Sequence, residues 1–271
     1  MEERGQHTLG RATEIGRVAT RHGFGYLLDR RRATDGEPDA DRGRRLREML
    51  DELGPTFVKF GQLLSTRPDV VPPDIITELR KLQDDVTPFP MEDVERVVRE
   101  ELGVGIERAF LSFEEAPIAA ASIGQVHRAT LPNDVEVVVK VQRPSAPRQI
   151  ESDLKLMASA ARMARERVRQ LDFIDANELV DEFARSIRLE LDYQQEARNA
   201  ETFRRNFAGD ERIAVPRVWW RYTTGRILTL DRLDGTHIRD LDLDAWGADD
   251  RRTLAHTMTD YTLSLHDALP I

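Results

Sequence analysis

Two periods of hydrophobic and polar positions follow each other along the chain. Up to Leu102 apolar residues recur three or four positions apart, which is the spacing of helices that bury one face. Helices are predicted over Asp41–Leu53, Pro55–Leu64, Pro73–Leu82 and Met91–Leu102. Prolines stand at several of these boundaries, and Gly103 is a typical residue for a helix C-terminus. The pattern predicts a helical segment ahead of any sheet.

The next part of the chain has the pattern of short strands. Strands are predicted over Phe110–Phe113, Ser122–Leu131 and Glu136–Gln142, with turn residues between the last two. Valines at 135, 137, 138 and 139 are β-branched and favour strand over helix. Later elements are predicted as helices over Ile150–Gln170, Asp172–Phe207 (broken near Asn177) and Asp249–Thr262, and as an antiparallel pair of strands over Ile213–Trp219 and Ile227–Leu233.

The order of these elements indicates a fold class. A strand, a loop, a strand, a strand ending in lysine, a helix with a glutamate and two more strands follow one another in a protein-kinase small lobe. The expected fold is α+β: a kinase-like small lobe with a helical N-terminal extension and a truncated large lobe. The expected domains are a basic leader (1–40), a helical extension (41–108), the small lobe (109–233), an interlobe link with the first large-lobe helix (234–262) and a tail (263–271).

Composition and charge narrow the function classes. The chain is 40% hydrophobic and 33% charged, as expected of a globular protein with a charged surface. Its net charge of −9 argues against a protein that binds nucleic acid. The lack of cysteine fits a reducing cytoplasm, and no apolar run reaches the length of a membrane helix. A cytoplasmic protein is expected.

The Arg-rich leader Met1–Pro38 leaves two interpretations open. It is a loosely ordered segment, or it is a basic amphipathic segment that touches an anionic membrane surface through residues such as Ile15 and Val18. The second interpretation places the protein peripherally at the inner face of a membrane.

Lys140 and Glu196 are the first candidates for chemistry. Lys140 ends the Val137–Lys140 strand, where a kinase lysine holds the α and β phosphates and pairs with a glutamate of the following helix. Glu196 is the candidate partner, and Asp192 shares its helix face four residues earlier. A solvent-exposed strand lysine and a solvated acidic face are the alternatives.

An alanine-rich loop lies where a kinase has its glycine-rich loop. Ala119, Ala120, Ala121 and Ser122 occupy the place of the glycines, and only Gly124 remains before Val126. Glycine lets backbone N–H groups approach phosphate and adopt positive φ, and alanine restricts both. The loop is expected to fold over a nucleotide but to hold its phosphates differently. A tight packing turn is the alternative.

A lysine and a glutamine share a helix surface in the extension. Lys59, Gly61 and Gln62 lie in Lys-Phe-Gly-Gln, and Phe57, Phe60, Leu63 and Leu64 make the apolar face of that helix. Lys59 and Gln62 are three apart and therefore neighbours. A solvated pair on an amphipathic helix is the alternative to a functional one.

Together these motifs resemble the UbiB-like (AarF-type) atypical kinases, a family associated with coenzyme Q and isoprenoid-lipid metabolism. The resemblance runs from about Leu46 to Asp260. It rests on Lys59–Gln62, on Ala119–His127, on Val139–Pro144 and on Glu190-Leu-Asp192 in this order.

The resemblance implies a function and site residues. It implies that the Lys59 motif covers the place where a protein substrate would bind, that Glu190 and Asp192 hold this extension, and that Lys140 and Glu196 form the nucleotide-site ion pair. ATP or ADP is the implied ligand, with Mg²⁺ in the intact protein. The expected function is ATPase activity or phosphoryl transfer to a small or lipid-linked substrate. A nucleotide-binding pseudokinase scaffold within a membrane-associated biosynthetic complex is the competing class.

Two departures from the family stand out. The segment before the interlobe link ends in Leu230-Asp231, where the family usually has Met-Glu, so Asp231 is a shortened carboxylate on the adenine side. No catalytic loop or metal-binding Asp follows, so no catalytic or metal-ligating residue is assigned. His266-Asp267 lies in the tail Leu263–Ile271, which matches one reading frame of a sequencing adapter. The chain is therefore predicted to be an inactive fragment whose authentic sequence ends near Thr262.

Overall fold

A computed structural model describes residues 2–24, 41–82, 86–167, 176–236 and 238–268. The helices are α1 (Glu2–Arg21), α2 (Arg42–Leu53), α3 (Pro55–Leu64), α4 (Pro73–Leu79), α5 (Met91–Leu102), α6 (Ile106–Ala109), α7 (Ala146–Arg167), α8 (Ala176–Glu190), α9 (Tyr193–Asn206) and α10 (Ala248–Ala268). The strands are β1 (Ser112–Phe113), β2 (Ala119–Ala120), β3 (Gly124–Thr130), β4 (Glu136–Gln142) and β5 (Ile227–Asp231).

The chain forms two compact units. The helical unit comprises Met1–Thr87, Ala120–Ile123 and Arg143–Arg188. The sheet unit comprises Pro88–Ala119, Gly124–Gln142 and Leu189–Ile271. Mixed helices and antiparallel strands match the predicted α+β class.

Close packing at one glycine shapes the helical unit. Pro55 starts α3, where a missing N–H costs nothing, and the helix buries Phe57 and Val58. A Cβ added at Gly61 would lie 2.4 Å from Leu82 Cδ1 and 2.8 Å from Leu50 Cδ1. The absence of a side chain at this position therefore lets α3 approach its neighbours.

Helix α1 is attached to the rest of the helical unit by a half-buried arginine. Arg11 Nε donates to Asp153 Oδ1 at 2.8 Å, and the Asp153 side chain is fully buried. The same guanidinium donates to Leu53 O and lies 5.7 Å from the Phe57 ring centroid. Residues 2–21 of the expected leader are thus helical and attached, which differs from a loosely ordered segment. Residues 25–40 of that leader lie outside the described residues.

An antiparallel sheet organises the other unit. The strand order is β1-β3-β4-β5, and β2 pairs with β3 along the same edge as β1. β3 and β4 form a hairpin in which Gly124 pairs with Gln142 and Val126 with Lys140. Asp134 takes a positive φ of 60° in the connecting turn, a conformation that Asp tolerates better than most residues. The predicted strand Glu136–Gln142 and the predicted turn are confirmed.

Alternation along β4 gives the sheet two faces. Val137, Val139 and Val141 point into a core that includes Val94, Val97 and Val98 of α5. Lys140 points to the opposite face, together with its register partners Val126 on β3 and Leu228 on β5. This second face carries the candidate site.

The structure differs from the predicted elements at two places. Ile213–Trp219 makes only an isolated bridge, Val218 to Leu230, because the Arg217 N–H donates to the Asp231 carboxylate and not to the β5 backbone. A helix break that was not predicted falls at Leu191-Asp192, where the Asp192 side chain caps α9. The predicted break near Asn177 stays a prediction, because the chain is described only from Ala176 onward at this point. Asp172 itself lies outside the described residues.

The last helix exposes apolar side chains. Met258 and Tyr261 are 45% and 40% exposed, while Leu254 is half-buried. Tyr261 stacks 5.7 Å from Phe207, which attaches α10 to the end of α9. The side chains of residues 263–268 and all of residues 269–271 lie outside the described part, so the hypothesis about the tail stays a prediction. Among the described residues no helix could cross a membrane.

Candidate functional site

Lys140 and Glu196 form an ion pair in the sheet unit. Lys140 Nζ lies 2.7 Å from Glu196 Oε2, joining β4 to α9 across 56 residues of sequence. The side chains are 34% and 45% exposed, so solvent screens the attraction. This pair was predicted from the sequence, and the structure brings it together.

The start of α9 is held by one contact with β4, one contact with the turn before β5, and a cap within its own first turn. The side-chain amide of Gln142 donates to Leu191 O at 2.8 Å, and the backbone N–H of Tyr193 donates to Gly225 O at 3.2 Å. Asp192 Oδ1 accepts from the N–H groups of Gln194 and Gln195, as an N-cap does. These contacts determine which helix turn faces β4 and therefore place Glu196 opposite Lys140.

Tyr193 fills the space beneath this ion pair. Its ring centroid is 4.6 Å from Lys140 Nζ, and the residue is fully buried. Burial, and next the negative charges of Glu196 and Glu190, raise the pKa of the phenol, which therefore stays neutral. Sequence reasoning gave Tyr193 no role. Its place directly after a capping Asp was the available signal.

Gly124 is the loop glycine, and it is in close contact with Tyr193. A Cβ at this position would lie 2.5 Å from the Tyr193 hydroxyl oxygen and 2.5 Å from Val141 O. No side chain fits there. Val126, two residues on, lies on the Lys140 face of the sheet.

The alanine-rich loop is divided between the two units. Ala119 belongs to the sheet unit, and residues 120–123 belong to the helical unit. Ala119 is exposed, Ala120 and Ala121 are half-buried, and Ser122 is buried. The prediction that this loop covers a nucleotide stays a prediction.

Asp231 points away from Lys140. It pairs with Val137 in the sheet register, whereas Lys140 pairs with Leu228, so the two side chains lie on opposite faces. Its carboxylate accepts from the Trp219 indole N–H at 2.7 Å and from the Arg217 backbone N–H at 3.2 Å. The expected adenine-side role therefore has no support from the Asp231 side chain.

The Lys59 motif lies wholly in the helical unit. Lys59 is half-buried, and Gln62 Nε2 donates to Leu82 O at 3.3 Å. Glu190 and Asp192 belong to the sheet unit, so their predicted hold on Lys59 stays a prediction. What the structure adds is that Gly61 and Gln62 have packing and hydrogen-bonding roles within their own unit.

A buried polar chain was missed by sequence reasoning. Gln125 Oε1 accepts from Phe89 N at 2.9 Å, and Gln125 Nε2 lies 3.0 Å from His127 Nε2. His127 Nδ1 lies 2.8 Å from Glu114 O. These side chains are on the core face of β3, and they replace apolar packing with satisfied hydrogen bonds.

A comparison with family profiles decides the classification. The ABC1 atypical kinase-like domain matches residues 81–265. The chain belongs to the ABC1 atypical kinase-like family. The matched region contains the alanine-rich loop, the Lys140–Glu196 pair and the start of α10, and the predicted resemblance to UbiB-like kinases is confirmed.

Curated relatives agree with this assignment. A protein from Xanthomonas campestris pv. campestris named "Probable protein kinase UbiB" is 43% identical over 92% of this chain and 48% of its own length. A Cellvibrio japonicus protein with the same name is 43% identical over 76% of this chain and 37% of its own length. The chain thus spans about half or less of the relatives it matches.

A solved structure shares the fold. The Rv3197–erythromycin complex from Mycobacterium tuberculosis superposes with a TM-score of 0.54 at 28% identity, covering 78% of this chain and 53% of that one. The α+β fold with a kinase-like arrangement is therefore confirmed.

The Lys140 face combines a charged donor with an apolar neighbour. An ammonium group has three protons, and the contact with Glu196 leaves others for phosphate oxygens. Val126 offers an apolar surface on the same face. Within the described ranges no cluster of three metal-ligating side chains occurs, so the residues for a Mg²⁺ site are not assigned here.

Proposed function

We propose that this chain supplies the nucleotide-binding part of an atypical kinase or ATPase. The single observation that carries the proposal is the 2.7 Å contact between Lys140 and Glu196 within an ABC1 atypical kinase-like domain. A kinase lysine paired in this way holds the α and β phosphates. ATP supplies the phosphoryl group when it is bound.

The residues of the sheet unit would divide the work. Lys140 donates to phosphate oxygens, and Glu196 keeps its ammonium from turning toward solvent. Val126 covers one face of the base, and Gly124 lets the β3 backbone start close to the strand that carries Lys140. These groups position the phosphates and supply positive charge, and phosphoryl transfer usually requires nothing more of such residues.

The substrate belongs to the proposal as well. The relatives are named UbiB, and the family resemblance connects such proteins with quinone and isoprenoid-lipid metabolism. We therefore infer a small or lipid-linked acceptor and a peripheral place at the inner face of a membrane. A biosynthetic protein complex is a further inferred partner.

Nucleotide titration tests the proposal. Calorimetry with ATP and with ADP, with and without Mg²⁺, is expected to show binding by the parent chain and a loss of about tenfold or more in affinity for Lys140→Ala. Lys155→Ala is the matched control, since Lys155 is an exposed lysine of α7. Equal affinities of the Lys140→Ala variant and the parent would overturn the nucleotide site.

Turnover separates the two function classes. Release of phosphate from ATP, lost in Lys140→Ala but kept in Lys155→Ala, identifies an ATPase or kinase. Binding that depends on Lys140 without turnover in a longer gene product identifies the pseudokinase scaffold instead.

A further inference from the structure

The Lys140 ammonium has a second neighbour besides Glu196. Its Nζ lies 4.6 Å from the centroid of the Tyr193 ring. A cation within about 6 Å of such a ring is attracted to its negative face, and more strongly where water is excluded. Tyr193 is 0% exposed, whereas the Glu196 side chain is 45% exposed. The ring is therefore the better shielded of the two partners.

The other end of Tyr193 touches the loop. Its hydroxyl is buried and has no hydrogen-bond partner among the residues that the structure describes. That oxygen lies beside Gly124, only 2.5 Å from where a side chain at this position would begin. Burying a hydroxyl without a partner costs free energy, so the hydroxyl does not explain why a tyrosine occupies this position. The contact of its ring with Lys140 does explain it.

We propose that Tyr193 is the positioning residue of the candidate site. Its ring holds the Lys140 ammonium beside Glu196. Asp192 and the Tyr193 N–H, through their backbone contacts, hold the ring in place. The consequence for nucleotide affinity rests on the proposed function, whereas the contact between ring and ammonium does not.

The ring contact adds to the orientation of Lys140 what the ion pair alone does not provide. A lysine side chain has many rotamers, and a half-exposed pair with a carboxylate contributes little toward selecting one of them. A ring beneath the ammonium raises the population of the orientation that faces Glu196. A preorganised cation binds phosphate with less loss of conformational entropy.

The lysine content of the chain permits a direct test. The sequence has four lysines, Lys59, Lys81, Lys140 and Lys155. Reductive methylation with ¹³C-formaldehyde labels each amine while keeping its charge, and Lys140→Arg assigns the Lys140 signal. A methylammonium over a ring face is expected upfield of the other three. Tyr193→Phe should keep this shift, and Tyr193→Leu should abolish it.

A nucleotide titration provides the functional readout. Tyr193→Leu is expected to weaken ATP binding about fivefold, and Tyr193→Phe should restore the parent affinity within about twofold. Tyr261→Leu, at a tyrosine whose ring packs against Phe203 of α9, is the control and should leave the Lys140 signal in place. If Tyr193→Leu does not fold, phenylalanines of increasing fluorine content at position 193 weaken the ring face while keeping its shape. Affinity should then fall stepwise with fluorination.

The outcomes are separable. An unshifted Lys140 signal in the parent, or an unchanged one in Tyr193→Leu, overturns the proposal. So does an affinity that ignores fluorination when the parent binds nucleotide. A ring-dependent Lys140 signal in a protein that binds no nucleotide supports the contact and overturns the proposed function instead.

Discussion

At the residue scale, the buried Gln125–His127 chain has an orientation that its contacts dictate. The Phe89 N–H requires that Gln125 Oε1 faces it, so the Gln125 amide nitrogen faces His127 Nε2. His127 Nδ1 faces the Glu114 carbonyl oxygen and must therefore carry the ring proton. His127 Nε2 is then an acceptor. A second ring proton would point a donor at a donor.

This arrangement predicts a pH dependence of stability. Burial lowers the pKa of His127 below its ordinary value of 6.5, while the bond to Glu114 opposes the shift. The unfolded chain therefore takes up a proton more readily than the folded one. The contribution is fully present above about pH 6.5 and is lost as pH falls toward the folded pKa, by up to about 1.4 kcal/mol per pH unit. Denaturant unfolding between about pH 7.5 and 5.5 measures it.

Two variants make that measurement specific. His127→Gln removes the titrating group and should flatten this part of the pH profile, at the expense of some stability at pH 7.5. His256→Gln changes an exposed histidine of α10 and should leave the profile as it is. A parent profile that is already flat in this window contradicts the assigned hydrogen-bond chain.

At the element scale, Gly61 determines how closely α3 packs. Gly61→Ala should lower the free energy of unfolding by about 1–3 kcal/mol, because its Cβ would meet Leu82 and Leu50 side chains that are themselves buried. Gly10→Ala in α1 is the matched control. It meets nothing within 4 Å and should be neutral or stabilising by up to about 1 kcal/mol. Equal effects of the two substitutions would show that Gly61 is not a packing position.

Much of the element order could be predicted from the sequence, because strong local signals coincide with it. Met91–Leu102 and Glu136–Gln142 match their predicted bounds, since Gly103 takes the left-handed conformation and the valines alternate toward the core. The break before α9 was not predicted, and the reason is different. The Asp192 side chain can cap a new helix, or Asp192 can continue the helix that precedes it. Tertiary contacts, such as the hydrogen bond of the Gln142 side chain with Leu191 O, decide between the two, and a sequence does not show them.

The candidate site was predictable in part for the same reason. Lys140 and Glu196 are charged residues, and the order of strands and helices places them where a kinase has its lysine–glutamate pair. Tyr193 looks like ordinary core in a sequence, and only the register of β4 against α9 shows that its ring meets the ammonium. Asp231 illustrates the reverse case. The alternation of side chains along β5 determines the face of the sheet on which Asp231 lies. A comparison of motifs does not show this face.

At the scale of the whole molecule, the sequence predicts a charge contact between residues that lie far apart along the chain. Lys59 is expected to bind Glu190 or Asp192, with a coupling of about 1.5–3 kcal/mol if the hydrogen bond is charge-assisted and partly buried. Double-mutant cycles of Lys59→Met with Glu190→Gln and with Asp192→Asn measure it, and asparagine preserves the helix cap. Lys59→Met with Glu196→Gln is the control cycle, expected near zero. Coupling no larger than the control in both cycles would remove Lys59 from this role.

The alanine-rich loop gives the last prediction at this scale, because the chain passes from one unit to the other at its two ends, 119–120 and 123–124. A glycine at Ala120 or Ala121 would open positive φ and let a backbone N–H approach phosphate. One added net hydrogen bond to the terminal phosphate should change the ratio of ATP to ADP affinity about fivefold. Ala208→Gly, in an exposed turn after α9, introduces the same substitution without this effect. Competition titrations with ATP and ADP measure this ratio of affinities. A ratio equal to that of Ala208→Gly would show that the loop is only a packing turn.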